Sequence, residues 1–333
     1  MIAQLKQKYI QYKIRKTGID WFGDNRIKVL IRLNQHFGQV LWQNFFDKYQ
    51  VNDQKYQIKF ANNKYETLKL FKQADRTFLF GVSRYLDFTA KPSKILYLPF
   101  IGLDEIKQNK IPQEAKLLHP SGITSNMIAE YVHTMILFTL NNFHIAVKNM
   151  ASKKWKQKQL LTDYNTQCKK HVAGILGFGN NGKAIASRLL EQDMKVWVTD
   201  IKKPDKNLES LEFVSPENIE NKLRETDFLV LALPLTNKTR GMVDKNFLET
   251  LKNDTTLINV SRGEIIMEKD LINHLKQFHT FKAVLDVFSK EPLPRNSRLW
   301  RMSNVLITPH IAGNINRMKN EICKDFYTKC LAE

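Results

Sequence analysis

The chain has 333 residues, more than the roughly 250 to 300 at which a single hydrophobic core stops growing, so two domains are expected. Hydrophobic residues make up 43% of the chain and charged residues 26%, as in ordinary globular proteins. No apolar stretch approaches the ~18 residues of a membrane span. These values exclude a small disulfide scaffold and predict a folded, soluble protein.

The net charge is +19, from 52 Lys and Arg residues against 33 Asp and Glu residues. A charge of this size makes nucleic acid or an anionic membrane the first partner to consider. The lysines, however, are scattered singly along the chain, with a bias toward the N-terminal third, and form no single basic stripe. We therefore interpret the charge as solvated lysine surface and expect neither nucleic-acid nor membrane binding.

The three cysteines, Cys168, Cys323 and Cys330, form no CxxC pair and no Cys/His spacing typical of a metal site. Their number and spacing predict no metal, no disulfide and a reducing compartment. The first twenty residues lack the apolar segment of a secretion signal, although their five basic residues faintly resemble an organellar presequence. A cytoplasmic location is expected.

Several short apolar runs, each bordered by helix-like spacing, occupy the N-terminal third. The run 27–33 precedes a segment with helical periodicity, and two further runs cover 77–82 and 95–100. Together they predict the βα repeats of an α/β domain. The following segment, 123–150, has apolar residues on nearly every face and predicts one long helix buried between two domains.

From His171 onward short apolar strands alternate regularly with helical segments. This alternation predicts a doubly wound parallel sheet, in which ligands bind beyond the carboxyl ends of the strands. The first of these strands runs directly into a GxGxxG loop that opens a helix, composed of Gly177, Phe178, Gly179, Asn180, Asn181 and Gly182. In this context the loop predicts a dinucleotide site, with the pyrophosphate at the helix N-terminus.

Asp200 ends the next strand, where its carboxylate can accept hydrogen bonds from the adenosine ribose. A negative charge there repels a 2′-phosphate, so NAD is predicted in preference to NADP. Lys202 and Lys203 are close enough in sequence to soften that repulsion. A methyltransferase using S-adenosylmethionine could show the same two features, and the motifs further along the chain argue against it.

Four more segments follow predicted strands: 231–241 (LALPLTNKTRG), 259–263 (NVSRG), 285–294 (LDVFSKEPLP) and 308–313 (TPHIAG). With the glycine loop they resemble the D-isomer-specific 2-hydroxyacid dehydrogenases, over about residues 100–333. The resemblance implies an α/β fold in which a doubly wound Rossmann cofactor domain is inserted into a smaller flavodoxin-like substrate domain. The implied boundaries are 121–311 for the NAD-binding domain and 1–120 plus 312–333 for the substrate domain.

By position, the resemblance implies that Arg262, Glu291 and His310 are the catalytic residues. Reduction of a 2-keto acid needs these residue types, since it requires a proton donor for the developing alkoxide and a cation for the carboxylate. We expect His310 to be the acid/base and Glu291 to stabilise its imidazolium form. Arg262 is expected to offer a planar fork to the substrate carboxylate and carbonyl.

The resemblance also implies contacts for the cofactor and the substrate. Asp286 matches the carboxylate that accepts a bond from the nicotinamide amide. Further residues that match cofactor-binding positions are Leu233, Pro234, Thr239, Val260, Ser261, Arg262, His310 and Gly313. The substrate-binding residues implied are Ile101, Gly102, Arg262 and His310. Two positions depart from the family pattern: Phe100 stands where a second glycine is usual, and Asn142 where many members have arginine.

We therefore expect an NAD-dependent oxidoreductase that transfers a hydride between NAD(H) and a small 2-hydroxy or 2-keto acid, with reduction favoured. Membership of this family also implies a twofold homodimer formed mainly through 123–150 and its flanks. Two alternatives remain open. One is an NAD-sensing binding protein similar to the corepressor members of the family, and the other is a dehydrogenase of the formate or phosphite type.

Overall fold

A computed structural model describes residues 26–33, 38–51, 54–71, 73–79, 94–99, 115–120, 122–160, 167–202, 210–313 and 318–332. The chain divides into two compact units, residues 1–123 with 315–333 and residues 124–314. The second unit is therefore an insertion within the first. No helix in these ranges is long and apolar enough to cross a membrane.

The described part of the first unit contains a five-stranded parallel sheet with the order β2-β1-β3-β4-β5. This is the strand order of flavodoxin-like sheets. The strands are β1 (Ile27–Arg32), β2 (Tyr56–Ala61), β3 (Arg76–Phe78), β4 (Ile95–Tyr97) and β5 (Lys116–Leu118). The helices are α1 (Gln39–Tyr49), α2 (Lys64–Phe71) and a C-terminal helix (Lys319–Cys330).

The C-terminal helix belongs to the core of this first unit. Phe326 packs edge-on against Trp42 of α1 and Phe78 of β3, with ring centroids 5.6 and 5.4 Å away. Such edge-to-face aromatic contacts stabilise a core beyond the area that they bury. The Tyr97 hydroxyl also donates to Asp325 Oδ2 over 2.6 Å. The C-terminal helix is thus held by residues of α1, β3 and β4.

The second unit contains a seven-stranded parallel sheet with the order β12-β11-β10-β9-β6-β7-β8. It has the Rossmann order, with the direction of winding reversed between β6 and β9 and one extra strand at the edge. The strands are β6 (Val172–Leu176), β7 (Lys195–Thr199), β8 (Leu211–Phe213), β9 (Phe228–Leu231), β10 (Thr256–Asn259), β11 (Lys282–Leu285) and β12 (Val305–Ile307). Together the two parallel sheets confirm the predicted fold class.

The helices of the second unit are α3 (Ser125–Leu140), α4 (Phe143–Ala151), α5 (Gln157–Leu160), α6 (Asn180–Leu190), α7 (Ile219–Glu225), α8 (Lys245–Glu249) and α9 (Glu268–Gln277). The prediction of one helix over 123–150 is therefore wrong. Asn142 adopts a left-handed backbone with φ of 53°, which asparagine tolerates better than most residues, and its carbonyl accepts the first bonds of α4. Composition alone did not reveal this break.

A carboxylate ties together the N-terminal ends of two central strands. Asp227, just before β9, accepts a hydrogen bond from the Val172 N–H of β6 over 2.8 Å and is in contact with the Lys252 ammonium and the His171 ring. Burial opposes the ionised form, but the bonds from His171, Lys252 and Val172 outweigh it and lower the pKa of Asp227 to about 2. The ionised form is therefore more stable in the folded protein than in the unfolded chain.

Replacing this carboxylate should make the unfolding free energy less dependent on pH. Since its pKa is lower in the folded state than the ~3.9 of a free Asp, its contribution is complete above pH ~4 and disappears as the pH falls toward 2. We expect Asp227→Asn to lower the free energy of unfolding by about 2 kcal/mol at pH 7 and by less at pH 3. Urea unfolding at several pH values measures this, with the exposed Asp254→Asn as control. A loss that stays constant between pH 7 and 3 would contradict the assignment.

Candidate active site

The glycine loop lies between β6 and α6 and owes its path to two close backbone approaches. Gly177 has φ of 97°, and a Cβ there would lie 2.7 Å from the Ala232 carbonyl oxygen. A Cβ on Gly182 would lie 2.0 Å from the Gly177 carbonyl oxygen. The loop and the first turn of α6 therefore pack at a distance that only glycine permits.

The middle glycine of the loop is different. A Cβ on Gly179 would meet no atom within 4 Å, and this residue is the N-cap of α6. Open space at a helix N-terminus suits an anion, since the first N–H groups and the helix dipole both favour negative charge. The residues present therefore fit the pyrophosphate of a dinucleotide.

Asp200 follows β7 and is already bonded to this loop. Its Oδ2 accepts from the Phe178 N–H over 2.6 Å, and its Oδ1 accepts from the backbone N–H of Lys202 over 3.4 Å. Asn181 is also held, because its Oδ1 accepts from the Ser125 hydroxyl at the start of α3 over 2.7 Å. Both side chains thus fix the loop, and Asp200 keeps lone pairs for a ribose. Lys203 lies outside the described residues.

The turn that carries Arg262 is organised by a residue that the sequence interpretation missed. Asn259, the last residue of β10, is fully buried. Its Oδ1 accepts from the N–H and the hydroxyl of Ser261, and its Nδ2 donates to the Arg262 carbonyl over 3.0 Å. The Arg262 guanidinium donates to the Ser261 carbonyl over 2.7 Å. An asparagine directly after the apolar pair Leu257 and Ile258 of a buried strand was the available signal, since a buried amide needs partners.

Arg262 and Glu291 belong to segments that touch. A Cβ on Gly263 would lie 1.9 Å from the Phe288 carbonyl carbon, so the turn after β10 presses on the loop after β11. In that loop Glu291 Oε1 accepts from the Phe288 N–H over 3.0 Å. This bond leaves the second carboxylate oxygen, Oε2, available to another partner.

Glu291 Oε2 lies 2.8 Å from His310 Nδ1. The His310 side chain is 51% exposed and the Glu291 side chain 37% exposed. Among the described residues, the other ring nitrogen, Nε2, has no hydrogen-bond partner. An imidazole held at Nδ1 by a carboxylate, with Nε2 unbonded among the described residues, can donate or accept a proton at Nε2.

The backbone of His310 is itself unusual, with φ of 56°. Asp286, which is only 1% exposed, provides the hydrogen-bond acceptors for the backbone of this turn. The Asp286 carbonyl accepts from the His310 N–H over 2.8 Å, and its carboxylate accepts from the Ile311 and Ala312 N–H groups, each over 2.9 Å. The Thr308 hydroxyl adds a fourth bond over 2.6 Å and meets the Tyr131 hydroxyl at 2.6 Å. The predicted nicotinamide contact would have to use the remaining lone pair of Oδ2.

The other predicted residues lie in different surroundings. Val260 and Ser261 are buried, and Leu233 packs against the hydrophobic core of the second unit. The Thr239 hydroxyl donates to the Pro234 carbonyl over 2.7 Å, which closes the loop after β9. A Cβ on Gly313 would make ordinary contact with Ile128. Ile101 and Gly102 lie outside the described residues.

The glycine loop yields a prediction with two opposite outcomes. Gly182→Ala should lower stability by about 2 kcal/mol, because its Cβ meets a backbone oxygen that cannot move aside. Gly179→Ala should leave stability within about 0.5 kcal/mol and weaken NADH binding at least about tenfold, because the methyl fills the proposed pyrophosphate space. Gly38→Ala, also without neighbours, is the control for thermal unfolding and NADH fluorescence titration. Undiminished NADH affinity in Gly179→Ala would move the cofactor elsewhere.

Comparison with known proteins identifies the family of this chain. Residues 133–312 match the model of the D-isomer specific 2-hydroxyacid dehydrogenase NAD-binding domain. A hydroxypyruvate reductase of Thermotoga maritima is 28% identical over 73% of this chain and 78% of its own length. The human glyoxylate reductase/hydroxypyruvate reductase is also 28% identical, over 71% of this chain and 73% of its own.

A solved structure shares this fold. A D-isomer specific 2-hydroxyacid dehydrogenase from Xanthobacter autotrophicus, solved with NADPH and MES, superposes with a TM-score of 0.72 at 22% identity, over 90% of this chain and 95% of that one. The family match covers more than half of the chain and includes the glycine loop, Arg262, Glu291 and His310. The chain belongs to the D-isomer specific 2-hydroxyacid dehydrogenase family and is an NAD(P)-dependent oxidoreductase of small 2-hydroxy and 2-keto acids.

Proposed function

We propose that this protein reduces a small 2-keto acid of the glyoxylate and hydroxypyruvate class to the 2-hydroxy acid, with His310 as the proton donor. The observation that carries the proposal is the 2.8 Å contact between His310 Nδ1 and Glu291 Oε2. The substrate class is supported by the names of the two relatives above, which are reductases of these acids.

The glycine loop and Asp200 would hold a reduced nicotinamide dinucleotide, which would supply the hydride for the carbonyl carbon. His310 Nε2 donates a proton to the carbonyl oxygen as that oxygen gains negative charge, which turns it into the hydroxyl of the product. Glu291 holds Nδ1–H throughout and, being negative, favours the imidazolium form before the transfer. Arg262 offers two parallel N–H donors to the substrate carboxylate, which orients the carbonyl.

We assign the cofactor to the unit 124–314, which carries the glycine loop and all three proposed catalytic residues. The unit 1–123 with 315–333 would then bind the substrate, through backbone N–H groups near Ile101 and Gly102. Seven further residues remain proposed cofactor contacts, because they lie on segments that follow β9, β10, β11 and β12. They are Leu233, Pro234, Thr239, Val260, Ser261, Asp286 and Gly313.

We further propose a homodimer. Helix α4 buries none of its residues, and its apolar side chains Phe143, Val147 and Met150 are at least half exposed. Trp155, shortly after α4, is 93% exposed. An apolar surface of this kind is typical of a subunit interface. Light scattering tests the proposal, and a mass near the 39.0 kDa of one chain would reject it.

The three cysteines are free in the structure, which supports the proposal of a reducing, cytoplasmic compartment. Fractionation of cells that produce the tagged protein tests this location.

The reaction is tested by NADH consumption with a panel of 2-keto acids. We expect turnover with glyoxylate or hydroxypyruvate. Glu291→Gln should reduce this rate at pH 7.5 by at least about tenfold, because the carboxylate that holds His310 Nδ1 is replaced by a neutral amide, with NADH affinity within about twofold. Glu217→Gln, an exposed control, should change neither. NADH binding without turnover on any acid would favour the NAD-sensing alternative.

The preference for NADH over NADPH depends on Asp200. The neutral variant Asp200→Asn keeps an oxygen that can accept from the Phe178 N–H, so the loop stays bonded while the negative charge is removed. In this variant we expect the dissociation constant of NADPH, divided by that of NADH, to be about tenfold smaller than in the unmodified protein. The exposed Asp193→Asn is the control. Tighter binding of NADPH than NADH by the unmodified protein would show that Asp200 does not select the cofactor.

A further inference from the structure

A chain of hydroxyl groups connects α3 to the loop of the proposed catalytic histidine. Thr308 Oγ1 lies 2.6 Å from Asp286 Oδ1 and 2.6 Å from the Tyr131 hydroxyl. Tyr131 lies in the second turn of α3, and Thr308 directly follows β12. Neither side chain belongs to the proposed catalytic set.

The direction of these hydrogen bonds follows from their donors. Asp286, as a carboxylate, can only accept, so Thr308 gives its one hydroxyl proton to Oδ1. Thr308 Oγ1 then has only lone pairs to offer Tyr131, and Tyr131 must donate to it. Burial raises the pKa of Tyr131 above its ordinary value, which keeps the phenol protonated for this role. The order is therefore Tyr131 to Thr308 to Asp286.

The end of this chain is the backbone of His310. Asp286 accepts from the N–H groups of His310, Ile311 and Ala312 through its carbonyl, Oδ1 and Oδ2 in turn. His310 has φ of 56°, a left-handed conformation that is unfavourable for a non-glycine residue and persists only where its surroundings impose it. Asp286 supplies that constraint on one side of the loop, and Thr308 fixes where its carboxylate points.

We propose that Tyr131 and Thr308 are positioning residues that act through Asp286 to hold His310 in the left-handed conformation in which its Nδ1 meets Glu291. They touch neither substrate nor cofactor in this assignment. The proposal rests on the proposed function, because it takes His310 as the proton donor. It also gives Asp286 a role in the protein alone, before any cofactor binds.

The test uses four variants of the full-length protein: Thr308→Val, Thr308→Ser, Tyr131→Phe and the double variant Tyr131→Phe/Thr308→Val. Valine has the shape of threonine without its hydroxyl, and serine keeps the hydroxyl. Two controls remove hydroxyl bonds elsewhere: Thr255→Val, whose buried hydroxyl donates to the Thr226 carbonyl, and Tyr56→Phe, whose hydroxyl donates to the Leu331 carbonyl. For each variant we would measure thermal unfolding, NADH affinity, kcat and KM for glyoxylate, and hydrogen exchange of the 310–312 amides.

Thr308→Val should lower kcat at least about tenfold, since small misplacements of a reacting group can cost up to ~10²-fold, with KM for glyoxylate within about twofold. Amide exchange at 310–312 should become about tenfold faster. Thr308→Ser should restore both values. Tyr131→Phe should lower kcat about threefold, because the bond from Thr308 to Asp286 remains. The double variant should match Thr308→Val within about twofold, because the two side chains act in series.

The proposal would be overturned by unchanged amide exchange in Thr308→Val, by no recovery in Thr308→Ser, or by kcat losses in the two controls equal to those in the chain variants. A multiplicative loss in the double variant would also reject it, since independent residues give that result. Amide exchange does not require turnover. If the unmodified protein reduces no keto acid, the proposed function fails, while the exchange rates still decide whether Tyr131 and Thr308 hold the His310 loop.

Discussion

The candidate site depends on one constraint, the change in winding direction between β6 and β9. These parallel strands are neighbours, yet β6 continues through α6 to β7 on one side and β9 leads to β10 on the other. Connections that leave in opposite directions open a crevice at the carboxyl ends of the strands. The glycine loop follows β6 at this point, and Arg262, Glu291 and His310 follow β10, β11 and β12 at the same edge. Residues far apart in sequence are thereby gathered without any long-range signal of their own.

The central strands could be predicted from the sequence because both of their faces are covered. Each residue of β9 and β10 is buried; β9 is an uninterrupted apolar run, β10 has the apolar pair Leu257 and Ile258 at its centre, and helical segments separate the strands regularly. The glycine loop was also predictable, since two of its glycines meet backbone atoms that leave no space for a side chain. Where burial is complete on both faces or space is absent, few residue types satisfy the structure and the pattern is legible.

Other features left a weaker trace. Strand β2 alternates polar and apolar residues and has partly exposed positions, so it does not form the apolar run that marked its neighbours. The break between α3 and α4 depends on the backbone conformation of Asn142, which asparagine permits but does not require. Tyr131 looked like one more apolar residue of a buried helix, and only the position of Thr308 after β12 gives its hydroxyl a role. Pairings that depend on tertiary geometry were not available from one sequence.

Buried polar residues at the strand ends are poorly explained by stability alone. Burying a carboxylate carries a desolvation penalty, and replacing a buried charged group by an apolar one of similar volume is often neutral or stabilising. Asp286 is almost fully buried, and its donors offset that penalty. An apolar residue would fill the space, but it could not accept from Ile311 and Ala312 or hold the turn in which His310 has φ of 56°. The penalty and the strain occur in adjacent segments, and both are accounted for if the purpose of the network is to fix the direction of one imidazole ring.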